Sequence, residues 1–177
     1  TTMRNRPTQK DYSMHARDIL KLALTPTQDT LQMFLGDMTD AEITARPVPS
    51  ANHIAWQLAH LCTAEKYLLD GELPGVQYPD IPAAIATLGN ERTGKIEPPE
   101  GYLTKAQYLD CFGKLRAATL AAVDKLSETD LDKPVKNAMA KFAPTLGALL
   151  ILTANHTLMH GGQFTVTRRA LGKPVVF

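Results

Sequence analysis

What most restricts the fold of this chain is the punctuation between its apolar stretches. Four long segments rich in Leu, Ala, Thr, Lys and Gln carry apolar residues at three-and-four spacing, and clusters of Pro and Gly separate them. No alternating run long enough for a strand intervenes, so the chain reads as all-α. The first segment covers residues 13–38, with Leu31, Phe34, Leu35 and Met38 on one face. Inside it, Thr25-Pro26-Thr27-Gln28 has the order of a capping box with Pro at the first helical position, which reads as a helix start and predicts a break or kink near Leu24. After a connector containing Pro47 and Pro49, Ser50 is placed to cap a second helix that carries Ile54, Leu58, Leu61, Ala64 and Leu68 and ends at Asp70.

Residues 71–103 hold five prolines and room for one short helix at 83–88. A connection this long forms either a lid or wall over a site or an ordered surface excursion. Thr104-Lys105-Ala106-Gln107 is a second capping box and opens a third helix reaching Leu126, after which residues 127–130 add a turn. A fourth helix runs from Thr145 to Gly172, a residue suited to a left-handed C-cap, with Pro174 blocking continuation. Four amphipathic helices without a repeat at about 20 to 50 residues make a four-helix bundle. The expected organisation is a flexible segment at 1–12 ahead of one domain at 13–177.

Charge and cysteine content narrow the function classes. Nineteen Lys and Arg balance eighteen Asp and Glu, so the basic excess that a nucleic-acid partner demands is missing. The two cysteines, Cys62 and Cys111, form no C-x-x-C pair, which argues against a disulfide scaffold or a thiolate zinc site and fits a reducing cytoplasm. The longest apolar run, 147–154, falls far short of the roughly 20 residues of a membrane span, so neither secretion nor membrane insertion is expected.

The five histidines carry the chemistry. His156 and His160 lie four apart in the last helix, so their imidazoles project from one face, about 6 Å apart at their origins, and can share an ion. Leu149 and Leu152 precede them on that face and Gln163 and Thr167 follow, which turns the site inward. A divalent ion needs a third protein ligand from a facing helix, and His60, set within the apolar pattern of the second helix, is the best placed. His53 is seven residues earlier, about 10.5 Å up the helix, and reads as a first-turn residue near the pocket mouth or simply exposed. His15 reads as a surface residue. Core histidines satisfied by a carbonyl or a Tyr hydroxyl are commoner than ligands, so spacing alone leaves both readings open.

Other polar residues have local explanations. Cys62 faces away from His60, and Glu65 projects about 140° round the helix from it. Trp56, one turn before His60, is expected to pack in the bundle, and Arg169 to complement the helix dipole. Gln163, one turn beyond His160, is placed to hydrogen-bond a ligating imidazole or a metal-bound water. The successive glycines Gly161 and Gly162 cost about 1 kcal/mol each in helix propensity and predict the close approach of another helix.

Two segments resemble a known family. Ile54-Ala55-Trp56-Gln57-Leu58-Ala59-His60-Leu61, followed by Glu65, resembles the second helix of DinB/YfiT-like proteins. Asn155-His156-Thr157-Leu158-Met159-His160-Gly161-Gly162-Gln163 resembles that family's H-x-x-x-H-R-G-Q motif, and residues 169–174 its R-x-L-G-K-P ending. The resemblance implies a bundle binding a divalent metal, usually zinc or nickel, through His60, His156 and His160. It further implies chemistry with a low-molecular-weight thiol as small-molecule partner, and a homodimer. Gly161 departs from the pattern where the family often has Arg.

Three neutral imidazoles leave coordination positions open, the arrangement of a working site. The expected function is therefore a metal-dependent enzyme, and the resemblance puts a thiol-dependent S-transferase foremost, with a metal-dependent hydrolase and a non-catalytic, stress-associated metal-binding bundle as alternatives.

Overall fold

The computed structural model describes residues 14–90 and 102–176; the segment expected to be flexible, 1–12, lies outside them. Six helices follow in order: α1 (Ala16–Leu35), α2 (Ile54–Leu69), α3 (Ala83–Leu88), α4 (Lys105–Val123), α5 (Glu128–Leu131) and α6 (Leu146–Ala170). Short 3₁₀ turns occupy Glu42–Thr44 and Ala138–Lys141. The fold is all-helical, and none of these helices is long and apolar enough to cross a membrane.

The four long helices close a ring in which α1 and α2 each pack against both α4 and α6. Two apolar clusters give their directions. One joins Leu31, Phe34 and Leu35 late in α1, Ile54, Leu58 and Leu61 early in α2, Tyr108 and Phe112 early in α4, and Phe164 late in α6. The other joins Leu20 and Leu24, Leu68 and Leu69, Val123, and Leu146, Leu149 and Leu150, from the opposite ends of the same helices. Helices α1 and α6 therefore run one way, α2 and α4 the other. Because α2 and α4 are parallel, the chain must travel the length of the bundle between them, and this is why the proline-rich connection exists.

Most helix ends follow their local chemistry. Thr104 and Gln107 cap α4 reciprocally, the Gln107 side-chain oxygen accepting from the Thr104 N–H at 2.9 Å. At the end of α6, Gly172 takes φ +69°, and the N–H groups of Gly172 and Lys173 return to the carbonyls of Arg169 and Arg168 at 3.1 and 2.9 Å, a Schellman closure. Helix α4 stops at Val123, one turn short of the expected Leu126, and Leu126 is buried beyond it.

Two expected boundaries are wrong. Helix α1 continues through Pro26 without a break, and Thr25 caps nothing. The ring removes only the donor that would reach Leu22, on the exposed side, whereas the buried Leu24 carbonyl accepts from Thr27 Oγ1 at 2.7 Å and from the Arg116 guanidinium at 2.6 Å. Ser50 likewise does not cap α2. The N-cap is His53, whose Nδ1 accepts the Trp56 N–H at 3.0 Å, because the helix starts only at Ile54.

Between the two apolar clusters lies a buried polar layer. Arg116 of α4 is fully buried and spends all five N–H donors. Its Nε and one Nη2 donor grip the Glu65 carboxylate of α2 at 2.9 and 2.8 Å, the other Nη2 donor reaches Thr157 Oγ1 of α6 at 2.9 Å, and Nη1 serves the Leu24 carbonyl and Thr27 Oγ1 of α1. Thr119 adds a 2.7 Å bond to Glu65 and accepts from the Tyr78 hydroxyl at 2.9 Å. One guanidinium thus touches all four long helices. Removing it by Arg116→Ala leaves Glu65 charged and unpaired in the core, which costs about 3–5 kcal/mol. The expected result in urea unfolding is that Arg116→Met/Glu65→Leu, lacking both charges, is less destabilised than Arg116→Ala; equal losses would deny the pair its buried charge.

Candidate metal centre

The three predicted ligands meet. His60 from the middle of α2 faces His156 and His160 from α6, with ring centroids 5.2 Å, 5.3 Å and, between the α6 pair, 4.8 Å apart. One nitrogen from each can be chosen so that all three lie within 4.8 Å of one another. The Nε2 atoms of His156 and His160 are 3.2 Å apart. Two imidazole nitrogens bound to one cation at about 2.0–2.1 Å stand roughly 3 to 3.4 Å apart, so this pair has the spacing of shared ligands.

Outer hydrogen bonds set which nitrogens are bare. His160 Nδ1 is 3.0 Å from Gln57 Oε1, an atom that only accepts, so Nδ1 carries the proton and Nε2 presents its lone pair toward His156. Gln57 is in turn anchored by its Nε2, which donates to the Asn52 carbonyl at 2.9 Å. His60 Nδ1 is 3.3 Å from the Gly89 carbonyl, which again leaves Nε2 for the centre. The His60 ring stacks on Trp56, centroids 4.9 Å apart and planes within 5°, and the Trp56 indole N–H donates to the Asn90 carbonyl at 3.2 Å. Trp56 therefore packs inside the fold as expected, and what it packs on is the His60 ring of the cluster.

Gly89 shows what the long connection does. A Cβ there would sit 2.5 Å from the Ala59 carbonyl oxygen, so only glycine lets the end of α3 come down onto α2. The connection is a wall that delivers a carbonyl to His60. Gln57 and Gly89 were not singled out in the sequence; the only available signal was Gln57 within the buried stripe of α2.

Burial keeps the α6 imidazoles neutral. The His156 pKa is pushed down to about 4 by burial and then by His60; that of His160 falls to about 3 through burial, His156 and His60, opposed by a hydrogen bond that the ring donates to Gln163. Gln163 itself is exposed. Neutral imidazoles are the form that binds metal.

The remaining histidines separate cleanly. His15 is exposed at the start of α1, as expected. His53, expected at the pocket mouth or in solvent, is fully buried instead, because its ring caps α2 through Nδ1 while Nε2 meets the Tyr102 hydroxyl at 2.7 Å. Burial lowers its pKa to about 4. Glu65 points away from the histidines into the Arg116 layer, and Cys62 turns toward α4, its thiol 3.8 Å from the Tyr108 carbonyl. Gly161 is buried against Leu31 and Phe34 of α1, a Cβ there meeting them at 3.5 and 3.8 Å, whereas Gly162 faces open space. The predicted close approach holds for the first glycine only. In the last turn of α6, Arg169 is exposed, while the neighbouring Arg168 is buried and binds Asp37 and the Phe34 and Pro174 carbonyls.

Comparison with known proteins agrees with this architecture. The model of the DinB superfamily matches residues 23–164, a span that contains all three clustered histidines. The chain belongs to the DinB superfamily. Among solved structures, the crystal structure of the conserved protein of locus from Enterococcus faecalis superimposes with a TM-score of 0.68 at 18% identity, covering 91% of this chain and 100% of that one, which bears on the fold alone. No curated protein matches the chain.

Two outcomes follow for this DinB-superfamily centre. Gln57→Leu, which keeps the bulk but removes the acceptor, should weaken metal affinity about 10–100-fold by equilibrium competition against a chelator. The metal-free protein should keep its full stability above about pH 6.5 and lose it as pH falls toward 4, because His53, His156 and His160 are protonated readily only when unfolded. Thermal melts across pH 4–8 measure this; a midpoint flat through that window would contradict the burial of three neutral rings.

Proposed function

We propose that the protein is a divalent-metal-dependent enzyme, foremost a thiol-dependent S-transferase, with His60, His156 and His160 holding zinc or nickel. The observation carrying this reading is the convergence of one ring nitrogen each from His60, His156 and His160 within 4.8 Å of one another, with the Nδ1 atoms of His160 and His60 facing the Gln57 Oε1 and Gly89 carbonyl acceptors. Three imidazoles also leave coordination positions open, and His60 and His156 keep partial exposure through which a substrate can approach. A divalent cation here would supply Lewis-acid activation of a thiol or a water. The chain's part is to present neutral imidazoles, hold two of them by Nδ1 and keep the cluster's inner side dry. Gln163, one turn past His160, is positioned to orient that ring or a bound nucleophile. A homodimer is the proposed working form, to be read by light scattering.

Elemental analysis of the purified protein is the deciding measurement, with about one zinc or nickel per chain expected in the native protein and none in His60→Ala or His160→Ala. The single tryptophan stacks on His60, so its emission should change on metal addition in the native chain and not in His60→Ala. Turnover of an electrophile with a low-molecular-weight thiol should fall more than about 100-fold in His160→Ala, beyond the loss an outer partner alone causes. A metal-loaded protein that hydrolyses esters without a thiol would make it a hydrolase, and one inert to both panels a binding module; a metal-free native protein would end the enzymatic reading.

A further inference from the structure

The two cysteines lie on the facing helices α2 and α4, within one apolar cluster and on the side of α2 away from the histidines. Cys62 is sealed at 0% exposure, and its thiol reaches over the turn of α4 that ends at Cys111, 3.8 Å from the Tyr108 carbonyl. Cys111 lines a surface pocket of about 320 Å³ whose other walls include Pro79, Asp80 and Pro82 of the connection and Gln107, Asp110 and Lys114 of α4. Cys111 is therefore the outer thiol, 7% exposed at the pocket wall, and Cys62 the sealed one behind it.

We propose that Cys111 is a peroxide-reactive thiol and Cys62 its resolving partner, so that oxidation ties α2 to α4 by a disulfide. In the first step the Cys111 sulfur attacks one oxygen of a hydroperoxide; the S–O bond forms, the O–O bond breaks, and the leaving oxygen takes up the thiol proton as water or alcohol. In the second, the Cys62 sulfur attacks Cys111 sulfur; the S–S bond forms, the S–O bond breaks, and hydroxide departs as water with the Cys62 proton. Two thiols lose two electrons and the peroxide gains them. The Cys111 thiol is held below the ordinary cysteine value, chiefly by a hydrogen bond from Cys62 and with help from Lys114, against the opposing effects of burial and Asp110.

The test is non-reducing peptide mass spectrometry of the full-length, chelator-treated protein after exposure to hydrogen peroxide. A Cys62–Cys111 cross-linked peptide lacking two hydrogens is expected, together with a dimedone adduct on Cys111 in Cys62→Ala. Native protein should also be alkylated by iodoacetamide at Cys111 at least tenfold faster than at Cys62. Equal inertness of both thiols until denaturant is added, or oxidation that stops at Cys111 in the native chain without cross-linking, would overturn the proposal. Neither result depends on the histidine centre.

Discussion

Everything in this bundle is arranged around one guanidinium. A parallel pair, α2 with α4, and a second, α1 with α6, could slide along each other if apolar side chains were all that met at the seams, because burial is indifferent to register. Arg116 removes that freedom. Its five donors are directional and are divided among three other helices: two to Glu65 of α2, two to Leu24 and Thr27 of α1, and one to Thr157 of α6. Thr157 follows His156 and precedes His160 by three residues, while Glu65 follows His60 by five. The contacts that set the register of α2 against α6 are therefore within about a turn and a half of the imidazoles that must meet.

The centre itself depends on a division between the two nitrogens of each ring. An imidazole buried among other imidazoles is costly, and burial drives the α6 pair well below the ordinary histidine range. The fold meets that cost by giving Nδ1 of His160 and His60 a fixed oxygen each and leaving Nε2 for whatever occupies the centre. His53 shows the same chemistry used the other way round. Its Nδ1 accepts a helix N–H, so its proton sits on Nε2 and is given to Tyr102, and no lone pair remains for a cation. Which histidines can be ligands follows from the partner of Nδ1.

The sequence made the long helices and the ligand triad legible for different reasons. The ends of α4 and α6 were readable because capping chemistry is local: Thr104 with Gln107, Thr145, and Gly172 before Pro174 act within a turn. The histidine triad was readable in part from spacing, since residues four apart on a helix share a face, and in part from resemblance. Pro26 misled because a proline's local signal says helix start, whereas the lost hydrogen bond falls on the exposed side of α1 and tertiary contacts from Arg116 hold the next turn in place. His53 misled because a buried histidine N-cap looks, by spacing, like a pocket-mouth residue. Gln57 and Gly89 were invisible because their importance lies in contacts across about 100 residues in one case and 29 in the other.

Gly89 makes the physical case for treating the crossover as part of the centre. Parallel α2 and α4 oblige the chain to cross the bundle, but they do not oblige it to touch α2 at His60. That contact requires a residue without a side chain, because the Ala59 carbonyl and the Thr63 hydroxyl already fill the space where a Cβ would go, at 2.5 and 2.8 Å. The Gly89 carbonyl then accepts from Thr63 at 3.2 Å as well as facing His60 Nδ1, while its neighbour Asn90 takes the Trp56 indole proton. A connection needed only for topology would leave these polar groups to water. Here it seats the ring, its stacking partner and the next turn of α2 together, so the His60 imidazole is held in the cluster by the fold itself.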